Sequence, residues 1–161
     1  MSLTDPDRLF PVEPRLRGMA RAFYDSIKDL PIISPHGHCE PRWFAENKRF
    51  PNPAELLVVP DHYLFRMLAS QGVALADLGL PRADGGVTEQ DPRLIWRRFA
   101  AHYYLFRGTP SAMWLDHSFE HLFGIAALRT KMPLKILLER MADVAFDQDG
   151  AVDFEDYVQF M

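Results

Sequence analysis

"DLPIISPHGHCEPRW", residues 29–43, sets a short apolar run, Ile32-Ile33 and its flanks, against two histidines one residue apart. The run reads as a short buried strand over about 31–36, after Pro31 ends the preceding helix. On a strand, side chains two apart point to one face, so His36 and His38 can share one ion across Gly37. Imidazole suits zinc and other divalent transition metals, and a catalytic site keeps an open position for substrate. Two loop histidines that merely lie close are the plainer alternative. An H-x-H at the C-terminal end of a first apolar strand is where a (β/α)8 barrel places its metal and its chemistry.

Outward from this stretch the chain reads as helical. Residues 15–29 form an amphipathic pattern with Leu16, Met19, Ala20, Phe23 and Ile27 on one face. A loop carrying Pro41, Pro51 and Pro53 follows, then a helix opening near Asn52. Pro60 and Asp61 suit the start of the next helix and Gly72 its stop. Thr88 with Asp91 three residues later approximates a capping box for a long aromatic helix, residues 92–106, closed by Gly108. Thr109-Pro110 opens another helix, closed by Gly124, and Pro133 starts a last one. The fold class is mainly α with one short β-strand. A lone strand cannot satisfy its own backbone groups.

Composition narrows the function classes. The 161 residues are 48% hydrophobic and 25% charged with a net charge of -4, a profile of a soluble globular protein. That charge, with no basic stripe interleaved with aromatics, argues against a nucleic-acid partner. No apolar run approaches the roughly 20 residues that span a bilayer, and the N-terminus does not read as a signal peptide. With Cys39 the single cysteine, no internal disulfide forms and a cytoplasmic location is expected.

Several motifs together give a specific resemblance. "PIISPHGH" followed by "FPNPAELLVVPDHYLFRMLASQGV" resembles the N-terminal part of the uronate isomerase (glucuronate isomerase) family, divergent metal-binding barrels of the amidohydrolase superfamily. The matching elements are His36, His38, Pro41, Asp61, His62, Tyr63, Arg66, Leu68, Gly72 and Val73, then Trp114 and Phe123-Gly124-Ile125. Ser34 stands where that family often has Asp, and Asp116 where it has a histidine near the tryptophan. The motifs run to about residue 128, which divides the chain into a uronate-isomerase-like segment, 1–128, and a helical acidic tail, 129–161.

The resemblance implies aldose–ketose isomerisation of D-glucuronate to D-fructuronate and D-galacturonate to D-tagaturonate. It implies a divalent metal, zinc for preference, on His36 and His38, substrate carboxylate on Arg66, and proton transfer by Tyr63 and His62. It also implies the first strand and helical insertion of a (β/α)8 barrel. Such a barrel takes about 250 residues, so the barrel is incomplete here. A truncated isomerase, inactive and weak in metal affinity by itself, is the expectation, with self-association through the uncovered strand edge.

Read without the family, His62 and Arg66 share a helix face with Tyr63 beside them, which also fits a solvated helix start. The H-x-H alone would serve a metal-dependent hydrolase of the same superfamily equally well. His102, His117 and His121 read as packing or surface residues, and Trp96, Phe99, Tyr103 and Phe106 as core. In the tail, Asp147, Asp149, Gly150, Val152 and Asp153 invite a calcium-loop reading, hence a small helical calcium-binding or interaction module. Neither register supplies the full ligand set: placing Gly150 at position 6 puts Ala145 at position 1 and Asp156 last.

Overall fold

The computed structural model describes residues 5–33, 41–48 and 50–121. The chain divides into two compact units, Met1–Gly37 and His38–Met161.

The first unit is built on helix α1, Pro14–Ile27. Pro14 at its first position loses nothing by lacking an N–H. The Glu13 carboxylate caps it, accepting from the N–H groups of Arg15 at 2.9 Å and Leu16 at 2.6 Å. Arg17 donates back to the carbonyls of Pro11 and Val12, and Arg21 pairs with Asp7 while lying over the Phe10 ring. These contacts fold residues 7–12 back onto the helix. The amphipathic stripe forms as the spacing predicts, yet none of its side chains is buried: Phe23 is 69% and Ile27 56% exposed.

The strand expected over 31–36 is absent from its described half. Residues 31–33 are irregular, with Ile32 88% and Ile33 91% exposed. Among the described residues no strand exists for them to pair with, and unpaired backbone groups are better left to water than buried. His36 and His38 lie outside the described residues, as do Ser34, Cys39 and everything after His121. The acidic calcium-loop candidate and the final helix fall there too.

The second unit contains the core. Residues 41–46, read from sequence as loop, instead form a short helix α2, Pro41–Glu46. Pro41 opens the helix rather than breaking it, and Asn47 ends it at φ 44°, the left-handed conformation that asparagine tolerates. Asn52 caps the next element as expected, its Oδ1 accepting from Glu55 N–H at 3.0 Å and its amide donating to the Glu55 carboxylate. What it caps is a widened π-type turn, Ala54–Val58, in which Val59 N–H reaches the Ala54 carbonyl. Pro60 offers no N–H to carry it further. Helix α3, His62–Ser70, follows, with Asp61 as its cap and Gly72 at φ 87° as its stop.

A 3-10 turn, Leu75–Leu78, leads to α4, Pro92–Ala101. Its cap is Asp91 itself, accepting from Arg93 and Leu94, and not Thr88; Thr88 Oγ1 instead accepts from the Gln90 side chain. The predicted helix over 92–106 breaks at His102. Its ring Nδ1 lies 2.8 Å from the Arg98 carbonyl, the acceptor its own backbone N–H would have used. That N–H bonds Phe99 instead, and the chain tightens into a 3-10 turn, Tyr103–Phe106. Thr109 then caps α5, Pro110–His121, its Oγ1 accepting from Ala112.

Leu57, Val58, Leu64, Leu68, Leu78, Phe99 and Leu115 are fully buried, with Trp96 and Phe106 nearly so. Helix α4 packs on the π-type turn, and the predicted aromatic stripe of Trp96, Phe99, Tyr103 and Phe106 forms the centre. Each such side chain stabilises by about 1.5–3 kcal/mol relative to exposure.

Candidate functional site

Helix α3 presents the polar residues picked out from sequence. Its inner face is fixed by Leu64 and Leu68, both buried, and its first turn by the Asp61 carboxylate, which accepts from Tyr63 N–H at 2.8 Å. The spacing of those two leucines turns His62, Tyr63 and Arg66 to the other side. His62 is half-buried, and Tyr63 and Arg66 are exposed. The His62 and Tyr63 rings lie together, centroids 4.5 Å apart and planes 33° from parallel. Arg66 follows one turn after His62, and its guanidinium has no ion-pair partner among the described residues.

The arrangement offers an imidazole and a phenol as adjacent proton donors or acceptors, with a planar cation one turn away. A small molecule carrying hydroxyls and one carboxylate fits that set: guanidinium binds carboxylate through two parallel hydrogen bonds, and the rings serve the hydroxyls. The groove of about 530 Å³ lined by Leu75, Leu80, Pro81, Arg82 and Asp84, among others, includes none of the three. There the Arg82 and Asp84 side chains satisfy each other, at 2.8 and 2.5 Å, which pulls the Asp84 carboxyl down to about 2.

Asp116, at the position where the sequence departs from the resemblance, is engaged internally. It accepts from the buried Tyr103 hydroxyl at 2.7 Å and so ties α5 to the turn before it. Burial, reinforced by the Asp116 charge, pushes the Tyr103 phenol far up and keeps it protonated. His102 is half-buried against α4, as expected of a packing residue. His117 and His121, for which the sequence left packing or surface positions open, are exposed and face each other with ring centroids 4.2 Å apart. Reading each histidine singly missed that pairing, whose signal is the four-residue spacing.

Among the described residues, no group of three or more His, Cys, Asp or Glu side chains gathers as metal ligands. No helix among them is long and apolar enough to cross a membrane.

The glucuronate isomerase family profile matches residues 16–146, running on past residue 128. The chain is 64% identical over 125 residues to the uronate isomerase of Mesorhizobium japonicum, covering 78% of this chain and 27% of that protein. It is 52% identical over 141 residues to the uronate isomerase of Rhizobium meliloti, covering 88% and 30%. The crystal structure of glucuronate isomerase from Caulobacter crescentus superposes with a TM-score of 0.74 at 49% identity, over 89% of this chain and 29% of that one. The chain thus spans 27–30% of the length of these relatives.

Proposed function

The chain belongs to the glucuronate isomerase family, and from that premise we propose that it supplies the substrate-binding helix of an enzyme interconverting D-glucuronate with D-fructuronate and D-galacturonate with D-tagaturonate. The outer face of α3 carries the proposal. A uronic acid is a polyhydroxylated chain with one carboxylate, and His62, Tyr63 and Arg66 match those groups.

In the proposed reaction a base takes the proton from C2 of the open-chain aldose while the carbonyl oxygen at C1 gains one. The resulting cis-enediol then accepts a proton at C1 and loses the one on the C2 oxygen, leaving the ketose. Arg66 holds the carboxylate at the far end of the sugar and so fixes which carbons reach the proton-transfer groups. The Tyr63 phenol and the His62 imidazole, in ring contact, pass protons to and from the sugar oxygens. His36 and His38 would hold a divalent ion of the zinc class, for which two imidazoles are a suitable donor set. Such an ion, when bound, helps to polarise or anchor sugar oxygens.

Two protein ligands are fewer than the three usual at catalytic zinc. The chain by itself should therefore bind metal weakly and leave uronates unchanged. A chimera tests the function: residues of this chain replace the 125 residues they match in the Mesorhizobium japonicum protein. Production of D-fructuronate from D-glucuronate supports the reading. A folded chimera that hydrolyses lactones or amides and leaves uronates untouched overturns it in favour of a hydrolase.

A further inference from the structure

We propose that His117 and His121 form a second site for a divalent transition-metal ion, separate from the His36 and His38 pair and independent of the uronate reading. The segment is "HSFEH", residues 117–121, at the end of α5. Four residues apart on a helix, the two imidazoles occupy one face a turn apart. Their ring centroids are 4.2 Å apart with planes 50° from parallel. Side-chain rotation at this spacing lets each imidazole turn one nitrogen toward a common ion at a metal–nitrogen distance of about 2.0–2.1 Å.

The helix that carries them is held rigidly. Ala112, Leu115, Ser118 and Phe119 are buried on the opposite side, and Ser118 Oγ donates to the Trp114 carbonyl at 2.9 Å. A metal pair mounted on a fixed helix loses less order on binding than one on a loop. Both imidazoles are exposed, so an ion can reach them from solvent. The neutral ring is the ligating form.

Pairs of histidines at this spacing hold zinc in metallopeptidases, and H-x-x-E-H is one of the helical patterns that do so. Those enzymes add a third protein ligand, and among the described residues none joins this pair. The site therefore binds an exchangeable ion and is not assigned a reaction.

Zinc titration of the 161-residue chain by calorimetry tests this, using His36→Ala/His38→Ala as the background that isolates the second site. That variant should still bind one equivalent of zinc. Adding His117→Ala or His121→Ala should weaken binding at least about tenfold, as loss of one of two ligands requires. Both side chains are exposed, so far-UV circular dichroism should stay unchanged. A background variant that binds no zinc, or binding indifferent to both substitutions, overturns the proposal without touching the assignment of α3.

Discussion

Replacing Leu68 with alanine and, separately, Arg66 with alanine distinguishes the two faces of α3. Leu68 is fully buried and Arg66 exposed, two residues apart on the same helix. Truncating a leucine removes three carbons, worth roughly 2.4 kcal/mol at about 0.8 kcal/mol each. The unfilled cavity brings the cost to about 3 kcal/mol, inside the 2–5 kcal/mol range for core leucines. Arg66→Ala removes no buried contact and installs the best helix former, so it should fall within about 0.5 kcal/mol of the parent. Urea unfolding followed by tryptophan fluorescence reads both, since Trp96 sits in the same core at 1% exposure. In thermal melts the Leu68 variant should lose about 6–12 °C, at roughly 2–4 °C per kcal/mol for a chain of this size. If Arg66→Ala destabilises the protein as much as Leu68→Ala, Arg66 is holding the fold together. The reasoning that it is kept for a ligand then fails.

Three further outcomes follow from particular contacts. Gly79→Ala should cost about 1–3 kcal/mol in chemical unfolding, because φ there is +80° and the new Cβ would lie 2.9 Å from Ile95 Cδ1. Gly72→Ala, at φ +87° with nothing within 4 Å, should cost less, and equal losses would contradict the assigned contact. Tyr103→Phe removes the donor to Asp116 and should cost about 2 kcal/mol, the range of hydrogen bonds to charged groups; unchanged stability would show that the pair contributes nothing. Glu13 lies below the ordinary carboxyl range because the Leu16 and Arg15 N–H groups bond its charged form. Its cap is thus intact above the ordinary glutamate value, about 4.3, and weakens as pH falls through the lowered one. NMR shifts of residues 14–27 should report fraying of α1 in acid, and Glu13→Gln should show reduced pH dependence over that range.

Local chemistry was the most legible part of the sequence. Asp61, Asn52, Thr109, Gly72 and Gly108 mark ends that depend on nearest neighbours, and the structure uses them as caps and stops. The aromatic core was legible because helical spacing survives the switch to a 3-10 turn. Where the reading failed, a competing local bond decided. His102 takes the Arg98 carbonyl through its ring and breaks the long helix, and Asp91 displaces Thr88 as cap by reaching two N–H groups. The strand over 31–33 failed for a non-local reason: apolar character predicts burial, but a strand needs a partner that this stretch lacks among the described residues. At the candidate site, helical periodicity placed His62, Tyr63 and Arg66 on one face. The contact between His117 and His121 escaped a reading made residue by residue.

Kinetics of Arg66→Ala in the Mesorhizobium japonicum chimera test the central claim most directly. Loss of a bidentate charge-assisted pair with the uronate carboxylate, worth about 1.5–3 kcal/mol, should lower kcat/KM for D-glucuronate by about 10–100-fold. Much of that loss should appear in KM, and Tyr63→Phe should act mainly on kcat. Turnover by Arg66→Ala, Tyr63→Phe and His62→Ala at the rate of the unmutated chimera would contradict the assignment of α3 as the substrate-binding helix.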